Sequence, residues 1–289
     1  MRVEARRDPA WVRWGLTAAA VAVVGLLIVI PVIHVFWGAL AAGPAVYWNH
    51  LFADPDTAHS ILLTLTVVPV ALAANVVFGV AAAWAIARFN FPGRTLLTAL
   101  IDLPFSVSPV VAGLMFVLIF GREGYLGRFL LDEGVKIIFA TPGLIIATAF
   151  VTVPFVAREL LPVMEAGGTD EELAALSLGA SPWKMFWRVT LPNIKWGLAY
   201  GIILCNARAM GEFGAVYVVS GRIAGQTDTM PLRIEKLFQE YNLAGSFAVA
   251  SLLTLAAILT LIVKTRLEKR VQWASKSETS VKDLEALKR

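Results

Sequence analysis

The sequence predicts an all-α, polytopic membrane protein with six transmembrane helices, and three observations predict it. First, 58% of the 289 residues are hydrophobic and only 16% are charged, with a mean hydropathy of +0.71. A soluble domain is about 45–50% apolar and roughly 25% charged, and a water-facing surface this apolar would aggregate. Second, six segments have the roughly 20 mostly apolar residues that a helix needs to cross a bilayer. Third, the basic residues are distributed unevenly among the connecting loops.

The predicted spans cover 14–37, 60–87, 98–120, 138–160, 194–219 and 245–264, giving a short tail at 1–13, a membrane domain over 14–265 and a second tail at 266–289. The first span follows Arg2, Arg6, Arg7 and Arg13 and precedes Ala39-Leu40-Ala41, which together resemble a secretory signal. Its apolar stretch is longer than the roughly 7–15 residues of a signal core, so it reads as an uncleaved span. The second and fourth spans contain Pro69 and Pro154, which membrane helices tolerate at kinks. The third and fourth carry proline and small polar residues near their starts, where irregular entry is possible.

Placing the N-terminus inside puts most of the 25 lysines and arginines on the inner side: in the N-terminal tail, at Arg88 and Arg94, across 158–195 and in the C-terminal tail. The outer loops hold Arg122, Arg128, Lys136, Arg222, Arg233 and Lys236, and the first of them, 38–59, has Asp54 and Asp56 but no basic residue. Both termini are therefore expected in the cytoplasm. The same asymmetry accounts for the net charge of +4 without nucleic acid. The single cysteine, Cys205, allows neither an internal disulfide nor a cysteine metal cluster and reads as a small core residue. His34, His50 and His59 are scattered and form no metal constellation.

The longest inner connection, about 158–195, has the pattern of two short helices. Glu165, Asp170, Glu171 and Glu172 open it, and Leu173 to Leu178 is a good helix former. Gly179 ends that helix, and Ser181-Pro182 starts another with serine as N-cap and proline at the first position. Trp183, Phe186 and Trp187 then fall on one face, and Leu191-Pro192 closes the unit. An aromatic face suits the membrane interface, whereas an alanine- and glycine-rich elbow suits close docking of a partner; both readings are open.

The string from Glu172 to Pro192 resembles the cytoplasmic EAA loop of importer-type ABC transporter permeases. That pattern is Glu-Ala-Ala, three residues, Gly, nine residues, then Ile-x-Leu-Pro. Here Ala174-Ala175, Gly179 and Val189-Thr190-Leu191-Pro192 keep the spacing, but Leu173 occupies the glutamate position and Glu172 lies one residue earlier. The resemblance implies a coupling role toward an ATPase for Glu172, Ala174, Ala175, Gly179, Ala180, Leu191 and Pro192. The chain has no Gly-x-x-x-x-Gly-Lys-Ser/Thr phosphate loop. It is thus expected to be a non-catalytic subunit, without a cofactor, whose partner ATPase binds ATP and Mg.

Two further groups are candidates for the pathway. Asn206, Arg208 and Glu212 lie in the fifth span, where Arg208 and Glu212, four apart, can pair on one helical face. Intramembrane charges are costly; this pair either locks helix packing or lines the pathway. Ser106, Ser108 and Pro109 sit in a stretch whose prolines and serines give either a kink or unwound backbone beside a cavity. Asp102 reads as a water-boundary residue.

The strings at 102–114 and 206–221 are similar to those of the W-type permease of sulfate/thiosulfate importers. The resemblance implies a bacterial inner-membrane, MetI-like (type I importer) fold. It further implies a heterodimer with a T-type permease, two ATPase subunits, a periplasmic or lipid-anchored sulfate/thiosulfate-binding protein at the outer loops, and surrounding lipid. Molybdate is the alternative substrate. An ion-coupled secondary transporter is a different class, but it leaves the docking loop without a purpose and calls for internal repeats, which the sequence lacks.

Overall fold

The computed structural model describes residues 9–286, so Arg2, Arg6, Arg7, Lys288 and Arg289 of the two tails lie outside the described residues. Helix α1 (Trp11–Leu40) is followed by α2 (Pro44–Trp48) and the 34-residue α3 (Pro55–Arg88). Next come α4 (Arg94–Ser106), α5 (Pro109–Phe120), α6 (Gly127–Asp132) and α7 (Thr141–Ala166). After α8 (Asp170–Ser177), the chain continues through α9 (Pro182–Met210), α10 (Gly214–Ser220), α11 (Met230–Gln239) and α12 (Leu243–Ala286).

Among the described residues, four helices are long and apolar enough to cross a membrane, and the count rises to six if each of two bent pairs forms one span. The pairs are α4 with α5, bent by 113°, and α9 with α10, bent by 53°. The expected third and fifth spans, 98–120 and 194–219, are therefore not single helices. They also begin earlier than expected, at Arg94 and Pro182.

Local chemistry sets several of these boundaries. Asp54 caps α3, its carboxylate accepting from the Asp56 amide at 3.2 Å, and Pro55 occupies the first turn, where its missing N–H costs nothing. Pro69 and Pro154 lie inside continuous helices, as membrane helices allow. Wide π turns at Gly25–Val29 and Phe186–Thr190 each precede a proline, Pro31 and Pro192, and let the helix run on. Leu191-Pro192 thus does not close the loop unit; the second loop helix merges into the fifth span as α9. The last helix likewise passes 265 without a break and reaches Ala286. At about 66 Å it is far longer than a bilayer core of about 30 Å.

The centre of the bundle is the contact of α3, α7 and α9. Val156 is fully buried there between two glycines. A Cβ added to Gly79 would meet Val156 Cγ1 at 2.7 Å, and one added to Gly201 would meet Val156 Cα at 3.2 Å. Small residues let membrane helices approach this closely, where packing rather than the hydrophobic effect drives association. A buried polar group ties the same helices: Asn75 donates to Ala149 O at 3.1 Å and Thr152 Oγ1 at 2.7 Å, and lies 3.7 Å from Cys205 Sγ. Cys205 is fully buried, as expected. By contrast α1 is almost bare and rests on α12, where Gly38 leaves room for Phe247 and His34 meets the same ring edge-on at 5.7 Å.

Gly79→Ala is expected to destabilise the bundle by about 1–3 kcal/mol, the usual cost of overpacking, because Val156 and the Ala157 backbone both stand in the way. A thermal unfolding series on detergent-purified protein checks this; an unchanged midpoint would contradict the close approach.

Candidate functional site

The candidate site has two parts at opposite ends of α9. One is built from the breaks in the two bent pairs. At the first, Val107 (φ −95°, ψ 130°) and Ser108 (φ −58°, ψ 135°) are both extended. Pro109 explains this, since proline pushes the preceding residue out of the helical region. Pro104, by comparison, lies within α4. A turn of 113° rules out the simple kink and leaves the unwound reading. Ser106 and Ser108 are exposed, and among the described residues their hydroxyls make no hydrogen bond.

At the second break, α9 ends at Met210 and α10 starts at Gly214. Glu212, only 2% exposed, fills the gap. Its Oε1 accepts from the Ala215 amide at 3.0 Å, satisfying a free N–H of the new helix, while its Oε2 lies 2.7 Å from Arg208 Nη1. The expected i,i+4 pair is thus present, with unequal members: Glu212 is interior, whereas the Arg208 side chain is 35% exposed. Asn206 donates to Met210 Sδ at 3.6 Å on the same helix.

Packing brings the two breaks together. A Cβ on Gly214 would lie 2.9 Å from Pro109 Cβ, and one on Gly113 would lie 2.8 Å from Ala215 O. Helices α5 and α10, each starting just after a break, therefore cross in close contact. Near the first break is a basic group at which the predicted fourth span, 138–160, and the inner connection, 158–195, overlap. Arg158 belongs to α7, pairs with Asp102 through Nε–Oδ1 at 2.7 Å, and holds its guanidinium 4.8 Å from the Phe105 ring centre. The available signal was its position at the end of an apolar run, four residues after Pro154.

The other part is the loop ahead of α9. Helix α8 ends in a glycine cap: Gly179 has φ +84°, its amide donates to Leu176 O at 2.9 Å, and the Ala180 amide donates to Ala175 O at 3.0 Å. Ser181 Oγ then accepts from the Lys184 amide at 3.4 Å, and Pro182 opens the next helix. The two helices and the glycine elbow are as expected. Leu173, Ala174, Leu178, Gly179, Trp183 and Trp187 face outward and Ala175 and Ala180 are half-buried. Leu191 is half-buried and Pro192 exposed.

Glu172 departs from expectation. It is 8% exposed and turned into the protein, where it pairs with Arg88, so it does not stand on the outward face with the alanines. The helical turn decides this: Glu172 and Leu173 are neighbours in sequence but about 100° apart around the axis. The carboxylate therefore points in while Leu173 points out.

The family model for the binding-protein-dependent transport system inner membrane component matches residues 75–273. The chain belongs to this family. The permease is 50% identical over 262 residues to the sulfate transport system permease protein CysW of Escherichia coli K12, covering 91% of this chain and 90% of that one. It is 38% identical over 226 residues to the sulfate transport system permease protein CysT of the same organism, covering 78% and 81% of the two chains. In fold, the permease matches a chain of a bacterial alginate ABC transporter, solved in complex with an alginate pentasaccharide-bound periplasmic protein. The TM-score is 0.74 at 17% identity, covering 90% of this chain and 95% of that chain. The permease is thus a multi-pass membrane subunit of the ABC-importer type.

At the end of α3 opposite Arg88, an ionic cluster anchors α11. Arg233, buried, reaches Asp54 Oδ2 at 2.5 Å and Thr57 Oγ1 at 3.1 Å. Burial raises the Asp54 pKa, but the hydrogen bonds from Thr57 and Arg233 and the arginine's charge outweigh it, leaving the carboxyl below its ordinary value of 3.8. The depressed folded pKa means that the pair's contribution is complete above the ordinary value and is lost as pH falls through the lower, folded one. Melting of the wild-type permease is therefore expected to become less stable below about pH 4 relative to Asp54→Asn, which lacks this acid-sensitive component. Parallel pH dependences in the two proteins would remove Asp54 as a source of acid sensitivity.

Proposed function

We propose that the permease is the W-type membrane subunit of an ATP-driven importer for sulfate and thiosulfate. The observation that carries this reading is 50% identity to a sulfate transport permease over 91% of the chain. The similarity to CysT supports a T-type permease as the second membrane subunit, each subunit supplying half of the pathway. Two ATPase subunits bind at the outward face of the 170–192 loop, and ATP and Mg bind to them, not to this chain. A periplasmic or lipid-anchored binding protein delivers the anion to the other end, near α2, α6 and α11. Both termini lie in the cytoplasm, which puts Arg88 and the loop inside.

Transport in this reading is alternating access. Closure of the ATPase dimer pushes the loop, and α9, about 44 Å long, carries the motion to the break at Glu212. The crossing of α5 and α10 passes it to Ser106 and Ser108. Arg208 and Arg158 offer positive charge to a passing anion, and Glu212 and Asp102 offset each of them, so the anion is attracted without being trapped.

In a strain lacking its own sulfate permeases, expression of this chain with its T-type partner, ATPase and binding protein is expected to give uptake of radiolabelled sulfate. Thiosulfate should compete well and molybdate poorly. Uptake that persists without the ATPase would exclude an ABC importer, and stronger competition by molybdate would reassign the substrate. Gly179→Asp is expected to abolish uptake while leaving membrane insertion intact. Among the described residues, and apart from its two chain neighbours, nothing lies within 4 Å of a Cβ at Gly179, so the added group faces open space where a partner would dock and carries the strain of φ +84°. Normal uptake by that variant would remove the elbow from the docking surface.

A further inference from the structure

Glu172 and Arg88 form the best-satisfied ionic contact in the described residues, and Glu172 is turned away from the loop's outward face. Arg88 Nε donates to Glu172 Oε2 at 2.8 Å and Nη2 to Oε1 at 3.2 Å. Thr190 Oγ1 donates to Oε1 at 2.8 Å, and the remaining arm of Arg88, Nη1, donates to Met164 O at 2.8 Å. Both side chains of the pair are 11% exposed. The four residues come from the last turn of α3, the end of α7, α8 and the start of α9. The guanidinium and the carboxylate together therefore join the loop helix to all three helices of the bundle core: Arg88 ties α8 to α3 and α7, and Glu172 ties it to α9 through Thr190.

The covalent route between α8 and the bundle is soft by comparison. Gly167-Gly168 precede α8, with Gly168 at φ +63°, and Gly179 at φ +84° follows it. Glycine gives the backbone little resistance to rotation at these joints. A bidentate arginine–carboxylate pair fixes both distance and orientation. In the interior it cannot slip to water without leaving a buried charge unpaired. A push on the outward face of α8 thus reaches the spans mainly through side chains.

We propose that Arg88 and Glu172 are the positioning residues that transmit motion of the coupling loop to the spans. In this chain the loop's carboxylate faces inward as a link, and the outward position, Leu173, docks without charge. The inference rests on the importer reading above and adds the route by which the loop acts.

The test uses the complete complex in proteoliposomes, with binding protein and sulfate, and reads sulfate imported per ATP hydrolysed. Glu172→Gln keeps the shape and removes the charge; the ratio is expected to fall roughly tenfold or more, within the usual range of coupling between sites. Thr190→Val removes one hydrogen bond at nearly constant volume and is expected to lower the ratio a few-fold, about the effect of one neutral contact. Adding Leu173→Glu to Glu172→Gln is expected to restore nothing. Restoration by that second change would overturn the proposal, because the carboxylate would then act from the outward face. A wild-type ratio in both single variants would also overturn it. If Glu172→Gln fails to assemble, Thr190→Val decides: a lowered ratio supports the link and an unchanged one sinks it. Absence of ATP-dependent uptake in the wild-type complex would overturn the importer reading and the link with it, an outcome distinct from the failure of the link alone.

Discussion

Val156 lies between Gly79 and Gly201, and the close approach of three helices at that point organises the rest of the chain. In lipid the hydrophobic effect gives helices no reason to associate, so contact area and interhelical hydrogen bonds must hold them. Two glycines supply the contact, and Asn75, reaching Ala149 and Thr152, supplies the bonds. With α3, α7 and α9 held in this way, the broken segments are attached around a fixed frame. The bare first helix, joined chiefly at Gly38 and Phe247, lies outside that frame.

Breaks in membrane helices expose backbone groups, and those groups need partners in the protein. The second break is satisfied by Glu212, which accepts the Ala215 amide while pairing with Arg208. The first is made by Pro109, which has no amide to satisfy. Because Pro109 also packs on Gly214, the same proline that unwinds one segment seats it against the other. The crossing is thereby one structural unit with two breaks in the helical ladder.

Charge follows a similar economy at both ends of α3. Arg88 at one end and the Asp54–Arg233 pair at the other hold the connecting segments to the same long helix. In the proposed assembly the Arg88 end carries the loop that meets the ATPase, and the other end carries α11, where the binding protein docks.

The sequence by itself determined the membrane class, the approximate spans and the two loop helices with their glycine elbow. Those features depend on composition and on local chemistry: apolar length, a serine cap, a glycine able to take positive φ. It also placed Arg208 and Glu212 on one face, since a four-residue spacing is a local matter. Tertiary structure alone decided which way Glu172 points, that Arg158 pairs with Asp102, and that the breaks at 107–108 and 211–213 meet. Each of these joins residues far apart in the chain. Side-chain direction at a helix surface and the partner across a gap are set by packing, which no single segment encodes.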